Sequence, residues 1–308
     1  MSDLNLDHHV EDYLRLRRSL GFKLESAGYL LPQFVTHLEA AEATTVTSEL
    51  AIAWARQPAH TRPNHWAQRL AVVRGFARYL QTIVPETEVP PPGVFPARRH
   101  RPAPYLWAQR DICRLLELAK SLRPPLRAAT HEALFGLLAT TGMRVGEATG
   151  LERGDIDLQA GVITIRQAKF DRTRLVPLHP TVTDALGLYQ TERDRLCPEP
   201  RSPAFFLSSI GTAITRGGVA RTLRQLTTSM GIRTETVHPR AHDLRHSFAV
   251  RTLVQWHRSG VDVAAAMPRL STYLGHIAPA DTYWYLTAVP ELMELAAQRL
   301  ELTMGGQQ

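Results

Sequence analysis

Residues 242–249 read HDLRHSFA. His242 and Arg245 stand three apart at the head of a run, 243–258, whose apolar residues recur at helical spacing, so both side chains share one face of a helix start. Working outward, TGMRVGEATGL (141–151) places Arg144 just past Gly142, a helix stop, in the first turn of a new helix with Glu147 one turn on. GVITIRQ (161–167) and TRLVPL (173–178) read as strands, with 168–172 as the turn and Lys169 at its tip. LGHIAPADTYWYL (274–286) sets His276 after Leu-Gly and Tyr285 nine residues later. The rest of this region is helical in pattern. Ile112, Leu115, Leu116 and Ala119 mark one helix, and 125–141, 181–196, 216–230, 262–274 and PELMELAAQRLEL (290–302) mark others. Phe205 to Leu207 is expected to add one short strand. The fold class is therefore mainly α with a small antiparallel β-sheet in the larger of two domains.

The smaller domain is expected over 1–84. Leu6, Val10, Tyr13, Leu16 and Leu20 form a helical stripe that stops at Gly21. Leu30, Phe34 and Leu38 belong to a second helix, and Thr47 or Ser48 caps a third through Ile52 and Trp54. Trp66, Leu70, Val73, Ala77 and Leu80 line a fourth, with Arg69, Arg74 and Arg78 off that stripe. Residues 85–104, PETEVPPPGVFPARRHRPAP, are too rich in proline for helix or central strand and are predicted to form an extended basic linker. The larger domain then runs over 105–308.

The chain has 308 residues, 36 Lys+Arg against 29 Asp+Glu, and a formal charge of +7. This balance suits a polyanionic partner, nucleic acid above all. The two cysteines, Cys113 and Cys197, form no CxxC pair, which argues against a disulfide framework or thiolate zinc site and fits a cytoplasmic setting. No apolar run approaches the ~18 residues of a membrane span, and the polar start MSDLNLDHHVEDY does not resemble a signal peptide. His238, His242 and His246 are spaced by four, but Asp243 stands where a zincin needs Glu and Pro239 puts His238 outside the helix, so no metal is expected there.

Taken in order, the four segments resemble the tyrosine recombinase/integrase family. The likeness covers the larger domain, and DTYWYL is similar to transposon-borne members. The resemblance implies a core-binding domain over 1–84, a catalytic domain over 105–308, and a two-domain clamp around double-stranded DNA. It implies a catalytic set of Arg144, Lys169, His242, Arg245, His276 and Tyr285, with Glu147 holding an arginine in place. Tyr283, two residues away, is the rival nucleophile. Arg69, Arg74, Arg78, Arg98, Arg99 and Arg174 are candidate DNA contacts. Self-assembly on DNA, from dimer to tetramer and with sister recombinases, is the expected mode of action, without metal, ATP or other cofactor.

These residue types suit phosphoryl transfer. Attack on a phosphodiester builds negative charge on the nonbridging oxygens, and paired arginines supply fixed, bidentate donors there. A phenol with a pKa of about 10 is a good enough leaving group for a DNA 5′-hydroxyl to displace it, so bond energy is conserved. By the resemblance Lys169 would protonate the departing 5′ oxygen; His242 would accept the tyrosine proton or hydrogen-bond the phosphate, and His276 would donate to a nonbridging oxygen. The same set serves a type IB topoisomerase, which works without pairing two sites. A non-catalytic DNA-binding relative is the other alternative.

Overall fold

In the computed structural model the chain divides into two compact units, Met1–Pro102 and Ala103–Gln308. The described residues are 5–59, 61, 63–96, 103–167, 172–275 and 282.

The first unit is built on four helices, α1 (Leu6–Ser19), α2 (Glu25–Ala40), α3 (Ser48–Arg56) and α4 (Pro63–Leu80). Asn5 caps α1 by accepting from the His8 N–H, and Thr47 caps α3 by accepting from that of Leu50. Phe34, Leu38, Trp54, Val73, Phe76 and Leu80 form the interior. The α1 stripe differs from expectation. Leu6, Val10 and Tyr13 are buried, but the face then turns to Leu14, while Leu16 is 49% and Leu20 64% exposed. A period of 3.6 residues drifts off a fixed line over four turns, and Leu20 already lies past the helix end.

The expected linker begins later than its composition suggested, because residues 85–96 are strapped to the first unit. The Glu88 N–H donates to Val46 O and its carboxylate accepts from Ser48 N. The Arg74 guanidinium donates to the carbonyls of Pro90 and Pro91, both at 2.7 Å. Phe95 is buried, its ring 5.8 Å from that of Trp66. Prolines keep a carbonyl acceptor but have no N–H for a regular ladder, so a side-chain donor takes the role.

The second unit contains α5 (Gln109–Lys120), α6 (Pro125–Thr141), α7 (Val145–Ala148), a 3₁₀ turn at Arg153–Asp155, β1 (Ile156–Asp157), β2 (Val162–Gln167), β3 (Arg172–Pro177), α8 (Pro180–Leu196), α9 (Arg216–Ser229), α10 (Ala241–Arg258) and α11 (Val263–Leu274). The strands form one antiparallel sheet, β1-β2-β3, with Ile163 opposite Val176 and Ile165 opposite Arg174. α6 is the central helix, with Leu134, Phe135, Leu137 and Leu138 buried among residues of α5, α8, α9 and the sheet. β1 was not foreseen. The strand expected at 205–207 is replaced by isolated bridges, Glu152 to Ala204 and Leu207 to Ala213. Phe205, Phe206 and Leu207 are nonetheless fully buried, and the Tyr189 hydroxyl donates to Phe205 O while accepting from Leu207 N.

Arg69, a candidate DNA contact, is instead part of the first unit's interior. Its guanidinium lies 3.6 Å from the Trp54 ring centroid and donates to Trp54 O. Arg69→Met is expected to lower the chemical-denaturation midpoint, the direction for a lost buried cation–π contact and hydrogen bond. A variant of unchanged stability that lost only DNA affinity would restore Arg69 to the DNA surface.

Candidate active site

Two helices end on glycines in the left-handed conformation, and these ends build the site. α6 stops at Gly142 (φ +62), whose N–H donates to Leu138 O at 3.1 Å. α11 stops at Gly275 (φ +67). Only glycine suits Gly142, because a Cβ would stand 2.4 Å from Cδ1 of Phe248, whose ring stacks on Tyr273. A helix end presents carbonyls without partners and carries partial negative charge. Two guanidiniums occupy those positions. Arg245, on the first turns of α10 and 1% exposed, donates to Gly142 O at 2.9 Å and Leu274 O at 2.8 Å. Arg144, the residue preceding α7, donates to Gly275 O at 2.7 Å. Arg251 adds a third cation, donating to Ala139 O near the same end of α6.

Glu147 fixes Arg144 from the other side. One carboxylate oxygen accepts from the Arg144 backbone N–H and the other from its guanidinium, both at 2.8 Å. The same carboxylate receives both terminal nitrogens of Arg174, at 3.0 and 2.8 Å. Burial alone would raise this carboxyl's pKa, but the hydrogen bonds and charges of Arg174 and Arg144 outweigh it and hold the pKa at about 2. Arg174 was expected against a DNA phosphate. Here its side chain is only 14% exposed and is spent on Glu147.

His242 shares the site face with Arg245, as the spacing implied. It is open to solvent, yet crowding by protein atoms and then the charge of Arg245 lower its pKa, with smaller contributions from Arg240 and Arg144 and opposition from Asp243. The shift favours the neutral ring, which keeps a nitrogen able to accept a proton. Its helix start is braced by Asp243, which is buried and accepts from the backbone N–H and guanidinium of Arg240. His238 lies outside the helix and pairs with Arg233. Among the described residues no group of His, Cys, Asp and Glu is arranged to hold a metal ion, and no helix is long and apolar enough to cross a membrane.

The structure thus brings together Arg144, Glu147, His242 and Arg245. Lys169, His276, Tyr285 and its rival Tyr283 lie outside the described residues, as do Arg98 and Arg99. Arg78 is exposed on α4, and Arg74 is engaged with the proline strap. Sequence reasoning missed Arg216. It is exposed at the start of α9, and its guanidinium lies so close over α7 that a Cβ at Gly146 would meet Nη2 at 2.4 Å.

Comparison with known proteins decides the family. The Phage integrase family profile matches residues 108–291, more than half of the chain. The chain belongs to the phage integrase family. As a tyrosine recombinase of this family it is an enzyme of site-specific recombination and integration. It is 44% identical over 300 residues to the putative integrase/recombinase y4rB of Sinorhizobium fredii, covering 95% of this chain and 96% of that one. It is 29% identical over 225 residues to the tyrosine recombinase XerD of Oceanobacillus iheyensis, covering 72% and 71% of the two chains. The Tn1549 transposon integrase, solved with transposon right end DNA, shares the fold with a TM-score of 0.63 at 16% identity, over 95% of this chain and 98% of that one.

The depressed Glu147 pKa makes integrase stability depend on acid. The folded pKa lies below the ordinary carboxyl value, so the stabilisation is fully present above about pH 5 and is lost as pH falls toward 2. Wild type should be more stable than Glu147→Gln near pH 6, and the gap should narrow steadily from about pH 5 toward pH 2, as read by thermal melts at each pH. A gap constant across that range would contradict the ion-pair account.

Proposed function

We propose that this integrase cleaves and rejoins double-stranded DNA through a 3′-phosphotyrosine on Tyr285, to move or integrate a mobile element. The observation that carries the reading is the seating of Arg144 and Arg245 on adjoining helix ends with His242 on the same face as Arg245. Two fixed cations so placed suit one phosphodiester, whose charge grows on the nonbridging oxygens during attack. Arg144 is held by a carboxylate and a carbonyl through two of its guanidinium nitrogens, so its orientation is set before DNA arrives.

The tyrosine oxygen forms a bond to phosphorus, and the bond from phosphorus to the 5′ oxygen breaks. His242 accepts the phenolic proton, Lys169 supplies one to the departing 5′ oxygen, and His276 donates to a nonbridging oxygen. Rejoining reverses these transfers when a 5′-hydroxyl of the partner strand attacks. Because the phosphotyrosine conserves the bond no ATP is needed, and the arginines supply the charge stabilisation that a metal would otherwise give. The protein acts in the cytoplasm, on nucleoid DNA, and self-assembles from dimer to tetramer on paired sites, with sister recombinases where these are present. Arg78, Arg98 and Arg99 contact the phosphate backbone.

Covalent trapping tests this. On a nicked duplex from the element's own boundary, with a chelator present, wild type should form an adduct that survives a denaturing gel, and Tyr285→Phe should form none. Arg144→Ala and Arg245→Ala should each slow adduct formation by about 100-fold or more. An adduct lost only in Tyr283→Phe would move the nucleophile. Loss on chelation would overturn metal independence, and relaxation of supercoils without pairing of sites would favour the topoisomerase alternative.

A further inference from the structure

β3 carries a charge in an apolar register. Along Arg174-Leu175-Val176 the side chains alternate, and Val176 is buried while Leu175 is 63% exposed. Arg174 therefore shares the inward face with Val176, across from Ile165, which is also buried. A strand that turns leucine out and arginine in has reversed the usual pattern, and a largely covered cation needs a partner. That partner is Glu147, met by both terminal nitrogens in a forked pair.

The same arginine touches both groups that orient Arg144. Glu147 is one. Gly275, whose carbonyl receives Arg144, is the other: a Cβ on Gly275 would stand 2.6 Å from Nη1 of Arg174. Without Arg174, Glu147 would lose two charge-assisted bonds and the Gly275 turn would lose the wall it packs against. Register on β3 also becomes part of the site, since a slip of one residue would put Leu175 or Thr173 against the carboxylate.

We propose that Arg174 is a positioning residue, which through Glu147 and the Gly275 turn holds the Arg144 guanidinium in its phosphate-binding orientation and does not itself bind DNA. The proposal rests on the reading of Arg144 as a phosphate clamp.

Arg174→Met, Arg174→Lys, Glu147→Gln and the Met/Gln double variant are compared on the nicked duplex, reading the rate of adduct formation at saturating DNA and the salt dependence of DNA affinity. Arg174→Met should slow adduct formation by about 100-fold, with a salt slope equal to wild type. Arg174→Lys should recover part of the rate, because it restores charge but not the fork. The double variant should be no slower than the slower single variant, since both act through one chain of contacts. Arg174→Met should also lose rate on the acid side where wild type does not, as the released Glu147 takes up a proton.

A shallower salt slope with an unchanged saturated rate would make Arg174 a direct phosphate contact. An unchanged rate, or losses that multiply in the double variant, would equally overturn the proposal. Should wild type form no adduct, the phosphate-clamp reading falls by itself. Arg174 is then judged by binding and by carbon-13 titration of Glu147. A shallower slope in Arg174→Met rejects positioning; an unchanged slope with a raised Glu147 pKa upholds the hold of Arg174 on Glu147, apart from what Arg144 binds.

Discussion

The organisation of the second unit depends on guanidinium groups seated on helix-end carbonyls. Ending α6 and α11 on glycines leaves Gly142 O, Leu274 O and Gly275 O without helical partners, and Arg245 and Arg144 take all three. The exchange serves both sides. Helix ends that would be costly to bury gain donors, and cations that would be costly to bury gain acceptors with partial negative charge. Arg245 can thus be nearly inaccessible and still charged. Glu147 then adds a full negative charge between Arg144 and Arg174. The resulting site is organised by backbone geometry as much as by side chains, so α6, α7, α10 and α11 must all end or begin where they do.

A basic sequence does not mean an equally basic surface. Arg69 stacks inside the first unit, Arg193 is buried and donates to Ala204 O, and Arg174 and Arg245 are consumed at the site. The formal charge of +7 counts them all alike. Arg69, Arg74 and Arg174 were singled out because they fall off an apolar stripe or beside a hairpin. Periodicity identifies positions that are not core leucines; it does not separate a solvent-facing guanidinium from one that bonds a backbone carbonyl. Aromatic and proline-rich neighbours are the missing cue, since Trp54 offers a ring face and Pro90 and Pro91 offer carbonyls without competing ladder bonds.

The helices were legible because apolar spacing and glycine stops agree: α6 ends at Gly142 as read, and of Thr47 and Ser48 it is Thr47 that caps α3. The meeting of Arg144, His242 and Arg245 was legible only through the motif resemblance, because more than ninety residues separate the two segments and no local pattern encodes their contact. β1 escaped notice because two residues carry no periodicity. Phe205 to Leu207 misled because an apolar triplet is buried whether or not it pairs as a strand. Arg174 was readable in principle: strict alternation on β3 puts it on the face of Val176, and an inward arginine calls for a carboxylate.

Ser247 has a mechanical meaning. Its hydroxyl accepts from the Trp107 backbone N–H and donates to Asp243 O, both at 2.8 Å, inside the interior. Trp107 lies five residues into the second unit, and Asp243 is two residues before Arg245. The hydroxyl therefore ties the incoming chain to the helix that carries the buried arginine, beside a second tie in which Arg251 donates to the Gln109 side chain. The stretch by which the chain enters the unit and the helical turn that buries Arg245 are thus neighbours along one path of hydrogen bonds.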